Sequence, residues 1–215
     1  MRRVCKQAEP VLLAAERQDG NSFANLRKPF KQAMQKALCA EQGYLCCFCE
    51  SRIEPTGESM KIAHFVPQTV DGAQALVWDN LYGACYGNEP LPKKQADSEA
   101  SAQPGSRLDK GLHCDAKQGQ QVLDDRLRPD RIADGLIQYM QDGSVDSPDL
   151  QLRYDLIVKL NLNHRRLKTN RVLVLDSLME LSDYDPETAR RLIGRVPDAD
   201  GRLSVFVSYL LAMVG

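Results

Sequence analysis

Four cysteines are the residues of this chain whose type and spacing most plainly permit chemistry. Cys46 and Cys49 form a Cys-x-x-Cys pair within Cys46-Cys47-Phe48-Cys49. That spacing lets two thiolates turn inward from one knuckle toward a shared tetrahedral ion. Cys47 lies between them and is expected to point away. Cys85, in Gly83-Ala84-Cys85, and Cys114, in His113-Cys114-Asp115, are candidates to complete a closed, structural four-thiolate zinc site, with His113 as a substitute for Cys114. A single Cys-x-x-Cys also suits a redox pair or plain buried thiols. The redox reading wants a βαβ frame, which the turn-rich stretch 50–85 does not supply, so metal is the expectation. The count of seven cysteines is odd, which fits poorly with a fully paired disulfide framework. Cys5 and Cys39 are expected to be unliganded thiols.

A second kind of chemistry centres on His64, in Ile62-Ala63-His64-Phe65-Val66-Pro67. Hydrolysis of a phosphodiester needs an attacking water, a base to deprotonate it, and positive charge on the phosphorane and leaving oxygens. A neutral imidazole with its ordinary pKa of about 6.5 is poised for the base role near pH 7. Taken one at a time, the residues also have bland readings: His64 as a hydrogen-bonded structural histidine, Asn80 as a helix cap, Asp115 as a turn residue.

Set in order, Cys46-x-x-Cys49, Ile62-Ala63-His64-Phe65-x-Pro67, Trp78-x-Asn80-Leu81, Cys85 and His113-Cys114-Asp115-x-Lys117-x-Gly119 resemble the HNH endonuclease pattern. The flanks Glu41-Gln42 and Leu160-Asn161-Leu162-Asn163 are similar to those of the PtuB-type HNH subunits of Septu and retron-associated anti-phage systems. The resemblance implies an α+β fold with a zinc-stapled, treble-clef-like ββα-metal core. It implies that the amide of Asn80 orients the His64 imidazole, that Asp115 is a ligand of one catalytic Mg²⁺ or Mn²⁺, and that Lys117 contacts phosphate. It also implies a nucleic-acid substrate (DNA, or RNA including tRNA) and an ABC-type, PtuA-like ATPase partner, in some systems within a retron complex. One departure stands out: where the family pattern has an acidic or histidine metal ligand before the base, this chain has Ala63. A methyl group cannot bind a hard cation, so the resemblance implies a weakened or inactivated nuclease. Two rival readings are a non-catalytic zinc module that binds nucleic acid or protein, and a helical adaptor that docks an ATPase through its apolar terminal helices.

The elements that must position these residues are legible in outline. Leu26, Phe30, Met34 and Leu38 recur every four positions between Asn25 and Gln42, an amphipathic helix that delivers the chain to the cysteines. Tyr44-Leu45, Lys61 to Val66 and Val77 to Tyr82 read as short strands or zinc-bound loops between turns. Residues 86–112 are polar and rich in turn formers, which predicts a partly mobile insertion loop. Asp142-Gly143 within 135–145 signals a hairpin. Helical spacing then appears at Leu152, Leu156 and Leu160 and at Leu167, Val174, Leu178 and Leu181; Pro186 opens a short helix, and Leu203 to Val214 an apolar one that suits burial. The expected organisation is an N-terminal helical segment (1–43), a metal core (44–134), and a hairpin with a helical C-terminal part (135–215).

Bulk composition adds exclusions. Hydrophobic residues make up 43% and charged residues 27% of 215, ordinary for a globular protein. No apolar run reaches the length of a membrane span, and the opening MRRVCKQAEP lacks a secretory pattern, so a cytoplasmic protein with no membrane contact is expected. The net charge of −1 neither predicts nor excludes nucleic acid, because a nuclease needs only a local basic surface.

Overall fold

The chain opens with a helix that no cap or long periodicity announces: α1 (Val11–Gln18), which comes directly after Pro10 and buries Leu13. The computed structural model describes residues 1–18, 20, 22–90, 111–193 and 198–215. Most of the insertion loop expected at 86–112 therefore lies outside the described residues. The amphipathic pattern before the cysteines forms α2 (Lys28–Glu41), which buries Phe30, Met34 and Leu38. It starts later than the spacing suggests, because Phe23–Asn25 form a separate 3₁₀ turn and Arg27 is extended. Pro29 sits in the first turn, where its missing N–H is not needed.

Two strands come next, β1 (Met60–His64) and β2 (Leu81–Cys85), paired antiparallel with Met60 opposite Cys85 and His64 opposite Leu81. Tyr44-Leu45 contributes only an isolated bridge between Leu45 and Arg52. Of the strand expected from Val77, the first part is instead a 3₁₀ turn, Trp78–Asn80, and extended pairing begins at Leu81. Asn80 is needed inside that turn, with its backbone N–H bonded to the Val77 carbonyl at 2.9 Å. A short helix, α3 (Cys114–Gln118), then packs against β2.

The Asp142-Gly143 signal is realised as a minimal hairpin, β3 (Gln138–Tyr139) with β4 (Val145–Asp146). Helix α4 (Leu150–Tyr154) continues into a π turn at Asp155–Lys159. The buried Asp155 carboxylate fixes this turn, accepting from Asp124 N at 2.7 Å and Gln151 Nε2 at 2.9 Å, with Lys159 Nζ at 2.7 Å. The widened turn delivers Leu160-Asn161 to the backbone beside Cys114. Helices α5 (Arg165–Leu181), α6 (Pro186–Leu192) and α7 (Val207–Val214) complete the chain.

Two apolar clusters hold these elements. The larger joins α2, the β1–β2 hairpin, Cys114 and residues 152–167. The smaller gathers Leu178, Ala189, Ile193, Leu203, Phe206, Tyr209 and Leu210, so α7 is packed inside the molecule. Leu181, which shares the helical spacing of Leu167, Val174 and Leu178, is instead exposed. The fold is α+β, with small two-stranded sheets and a four-cysteine cluster between them and the helices. Among the described residues no helix is long and apolar enough to cross a membrane.

Candidate functional site

The four sulfurs meet because three backbone devices bring distant segments to one point. Residues 46–51 turn as a knuckle, with Cys46 N donating to the Ser51 carbonyl at 2.9 Å and Glu50 N to the Cys46 carbonyl at 3.0 Å. Cys85 ends β2. The chain past β2 then presses on the entry to α3: His113 N donates to the Gly87 carbonyl at 3.1 Å, and a Cβ on Gly87 would lie 2.0 Å from the His113 carbonyl oxygen. Only glycine fits there. Finally, Cys114 N donates to the Leu160 carbonyl at 2.8 Å and Asn161 Nδ2 to the Leu112 carbonyl at 2.8 Å. Leu160-Asn161 thus has an internal duty: it seats Cys114, whose backbone is left-handed at φ 56.

The Sγ atoms of Cys46, Cys49, Cys85 and Cys114 all lie within 4.8 Å of one another, and Cys49 and Cys85 are 3.7 Å apart. Four thiolates at about 2.3 Å from a zinc ion stand about 3.8 Å apart along the edges of their tetrahedron. The cluster can therefore hold a structural Zn²⁺. Burial pushes the Cys46 thiol up, but hydrogen bonds from the thiols of Cys114, Cys47, Cys49 and Cys85 outweigh it and bring Cys46 well below the usual range. Its neighbours Cys47 and Cys114 are pushed up, chiefly by burial. Metal binding to such a cluster releases the protons its thiols carry. Cys47 is outside the set, as are exposed Cys5 and buried Cys39, whose Sγ rests 3.3 Å from Met60 Sδ. His113 is not in the set either; its Nδ1 lies 3.2 Å from Cys114 Sγ, a supporting contact behind a ligand.

Across α3 from the cysteines opens a cleft of about 280 Å³ lined by Phe23, Ile62, His64, Gln68, Asp115 and Gln120, with Pro67, Thr69 and Gly119. The His64 side chain is held in one pose there. Nε2 lies 3.1 Å from the Ala75 carbonyl oxygen, an acceptor only, so this nitrogen carries the proton and Nδ1 keeps the lone pair. Gln68 Nε2 approaches Nδ1 at 3.3 Å, and the Phe23 ring meets the imidazole edge-on with centroids 4.6 Å apart. Burial holds His64 below the ordinary histidine range, against the opposing pull of the Ala75 carbonyl and the Asp115 charge. The imidazole is neutral at pH 7. Neither protein-family models nor curated proteins match this chain. What the cleft does must be read from its own residues.

Asp115 lines the cleft, but its Oδ2 is 2.9 Å from Lys61 Nζ, which is also 2.8 Å from Glu89 Oε2. Burial works against the Lys61 charge, yet Asp115 and Glu89 outweigh it and hold the ammonium above its usual range. Ala63 is buried and absent from the cleft wall. Lys117 stands two positions beyond Asp115 on α3 and does not line the cleft.

Asn80 differs most from its expected role. Its amide does not reach the imidazole: Oδ1 accepts from Val66 N at 2.8 Å, and Nδ2 donates to the carbonyls of Val66 at 3.0 Å and Gln74 at 3.2 Å. Asn80 pins loop 66–74 to the hairpin, and the next residue, Ala75, holds His64. Its orienting effect is indirect. Asn80→Ala leaves these buried backbone groups unpaired and is expected to lower stability by about 2–4 kcal/mol. Urea unfolding measures the loss, and a His64 titration followed by NMR should move further below the ordinary value as the Ala75 carbonyl, which pulls the pKa up, is released. Lys61, Gln68 and the Ala75 carbonyl are not singled out by sequence reasoning.

Proposed function

We propose that the cleft is an HNH-type centre for cleaving nucleic-acid phosphodiester bonds, stapled by a structural zinc ion in the four-cysteine cluster. The observation that carries this reading is the pose of His64. With Nε2 committed to a backbone carbonyl, Nδ1 offers its lone pair in a cleft whose other ionisable wall, Asp115, is the residue immediately after the cluster member Cys114. The order β1, β2, α3, with a cysteine closing β2 and another opening α3, supports the ββα-metal reading. In this reaction the attacking water takes the place of the Gln68 amide at Nδ1, which accepts its proton, and the low pKa keeps that nitrogen unprotonated at pH 7. Zinc, when bound, supplies folding energy and no step of the reaction.

The residues present do not fit a hard catalytic cation held by the protein alone. Among the described residues Asp115 is the one carboxylate on the cleft wall and is ion-paired, Ala63 is buried away from the cleft, and Gln68, Thr69 and Gln120 add only neutral oxygens. Mg²⁺ is ordinarily held through one or two carboxylates together with substrate phosphates. The same observation favours a second reading, a zinc-stapled module that binds nucleic acid without cutting it. Cleavage of single- and double-stranded DNA and of tRNA, assayed with Mg²⁺ and with Mn²⁺, separates the two. The nuclease reading expects slow cleavage by the native chain that His64→Ala abolishes. No cleavage of any of these substrates favours the binding module.

The likeness of the flanks extends the proposal to an ABC-type ATPase partner. Part of that likeness is accounted for within the chain, Leu160-Asn161 by the seating of Cys114 and Asn163 by its bonds to Val145. Co-purification with a larger ATPase supports the partner; a fully active solitary chain argues against it.

A further inference from the structure

We infer that Gln68 is the residue of this cleft that meets the phosphate and thereby uncovers the base: its side-chain amide caps His64 Nδ1 in the free chain and passes to a phosphate oxygen when a strand enters. The inference rests on the reading of the cleft as a phosphodiester site. Gln68 Nε2 lies 3.3 Å from His64 Nδ1, the one hydrogen bond its side chain makes among the described residues. A neutral imidazole has a single lone pair, on its unprotonated nitrogen. With Nε2 donating to the Ala75 carbonyl, that nitrogen is Nδ1. Nδ1 cannot accept from the amide and from an attacking water at once, so the amide has to leave before the base can act.

Position and chemistry decide where the amide goes. Gln68 is exposed and sits in the turn where Val70 N and Asp71 N donate to the Pro67 carbonyl at 2.9 and 3.2 Å, so its backbone is fixed while its side chain can swing. The wall of the cleft carries no lysine or arginine among the described residues. Its one carboxylate, Asp115, is balanced by Lys61 Nζ at 2.9 Å from outside the wall. The donors that face a strand are therefore neutral: the amides of Gln68 and Gln120 and the Thr69 hydroxyl, all on exposed residues. A hydrogen bond to an anionic oxygen is about twice as strong as one between neutral groups, and the bond it replaces is already long at 3.3 Å. A phosphate oxygen thus draws the amide off Nδ1, and water takes its place there. Substrate binding and exposure of the base are coupled through one side chain.

Two readouts that do not depend on cleavage test this, both on the zinc-loaded chain with no other divalent cation added. The first is the rate at which diethyl pyrocarbonate, which acylates an unprotonated imidazole nitrogen, modifies His64, followed by peptide mass spectrometry. Gln68→Ala is expected to speed this modification about two- to tenfold, the share of one neutral hydrogen bond. His113 and His164 in the same digest report on the fold and should keep their native rates. The second readout is fluorescence anisotropy of a labelled single-stranded oligonucleotide. Its binding is expected to weaken about tenfold in Gln68→Ala through loss of one charge-assisted contact, and further in Gln68→Glu, whose carboxylate repels phosphate. Unchanged His64 modification in Gln68→Ala, unchanged oligonucleotide binding in either variant, or a native chain that binds no oligonucleotide overturns the inference. A chain that never cuts nucleic acid but shows both changes refutes the nuclease reading alone. Cleavage that His64→Ala abolishes, by a chain whose Gln68→Ala variant binds the strand as tightly as the native one, refutes this inference and leaves the nuclease reading in place.

Discussion

Replacing Cys114 with serine is expected to abolish stoichiometric zinc binding and to unfold the hairpin, α3 and the cleft together. Structural zinc in small zinc-binding peptides is worth about 10–16 kcal/mol of apparent folding free energy at neutral pH, comparable with the whole stability of an ordinary domain. Here the cluster ties together the knuckle, β2 and α3, which are otherwise joined by the Cys47 N to Gly83 carbonyl bond at 3.0 Å and by the packing of α3 on β2. The damage should also reach the C-terminal helices. Glu50, inside the knuckle, accepts from Ser208 N at 2.9 Å and Ser208 Oγ at 2.6 Å, and the Glu50 carbonyl receives Phe206 N at 3.1 Å. Gly43, just before the knuckle, receives Leu203 N at 3.1 Å. Metal analysis and thermal unfolding followed by circular dichroism measure both effects, and a chelator strong enough to strip zinc should reproduce them on the native chain. A Cys114→Ser chain that keeps one zinc and an unchanged melting temperature contradicts the staple.

Removing the base should produce the second large effect. His64→Ala is expected to lower the cleavage rate of the native chain by about 10²–10⁴-fold, the usual share of a positioned general base. The fold should survive. The imidazole is packed by Phe23 and held by the Ala75 carbonyl, so its loss leaves one backbone acceptor unpaired at about 1–3 kcal/mol. His64→Gln keeps a polar group near that carbonyl but supplies no base, and should be as slow as alanine and better folded. Cleavage at the parent rate in either variant removes His64 from the chemistry.

The parts of the site legible in the sequence are those set by spacing. Cys46 and Cys49 announce themselves as a pair, and the intervals to Cys85 and Cys114 matter only because β2 ends on one and α3 begins on the other. His64, at the end of a five-residue strand, is equally visible. The features hidden from the sequence depend on loops folding back. Asn80 looks like a direct partner of the histidine, yet a 3₁₀ turn points its amide into loop 66–74, and the contact with the ring passes to the Ala75 carbonyl. A backbone carbonyl has no signature in a sequence. Lys61 pairs with Asp115 across more than fifty residues, a distance that periodicity cannot bridge. The π turn after α4 is similarly hidden, since Leu152, Leu156 and Leu160 keep ordinary helical spacing while the wider turn shifts the path of Leu160-Asn161. Leu181 shows the converse, an apolar residue in register whose neighbours give it nothing to pack against.

The most direct test is the pH dependence of single-turnover cleavage by the native chain. Because burial lowers the His64 pKa, the base form predominates down to mildly acidic pH: the rate should climb along a single limb centred below about 6.5 and level off by pH 7. That limb should vanish in His64→Ala. A rate that climbs only at alkaline pH, a profile that His64→Ala leaves in place, or no cleavage at any pH contradicts a zinc-stapled cleft with His64 as its base.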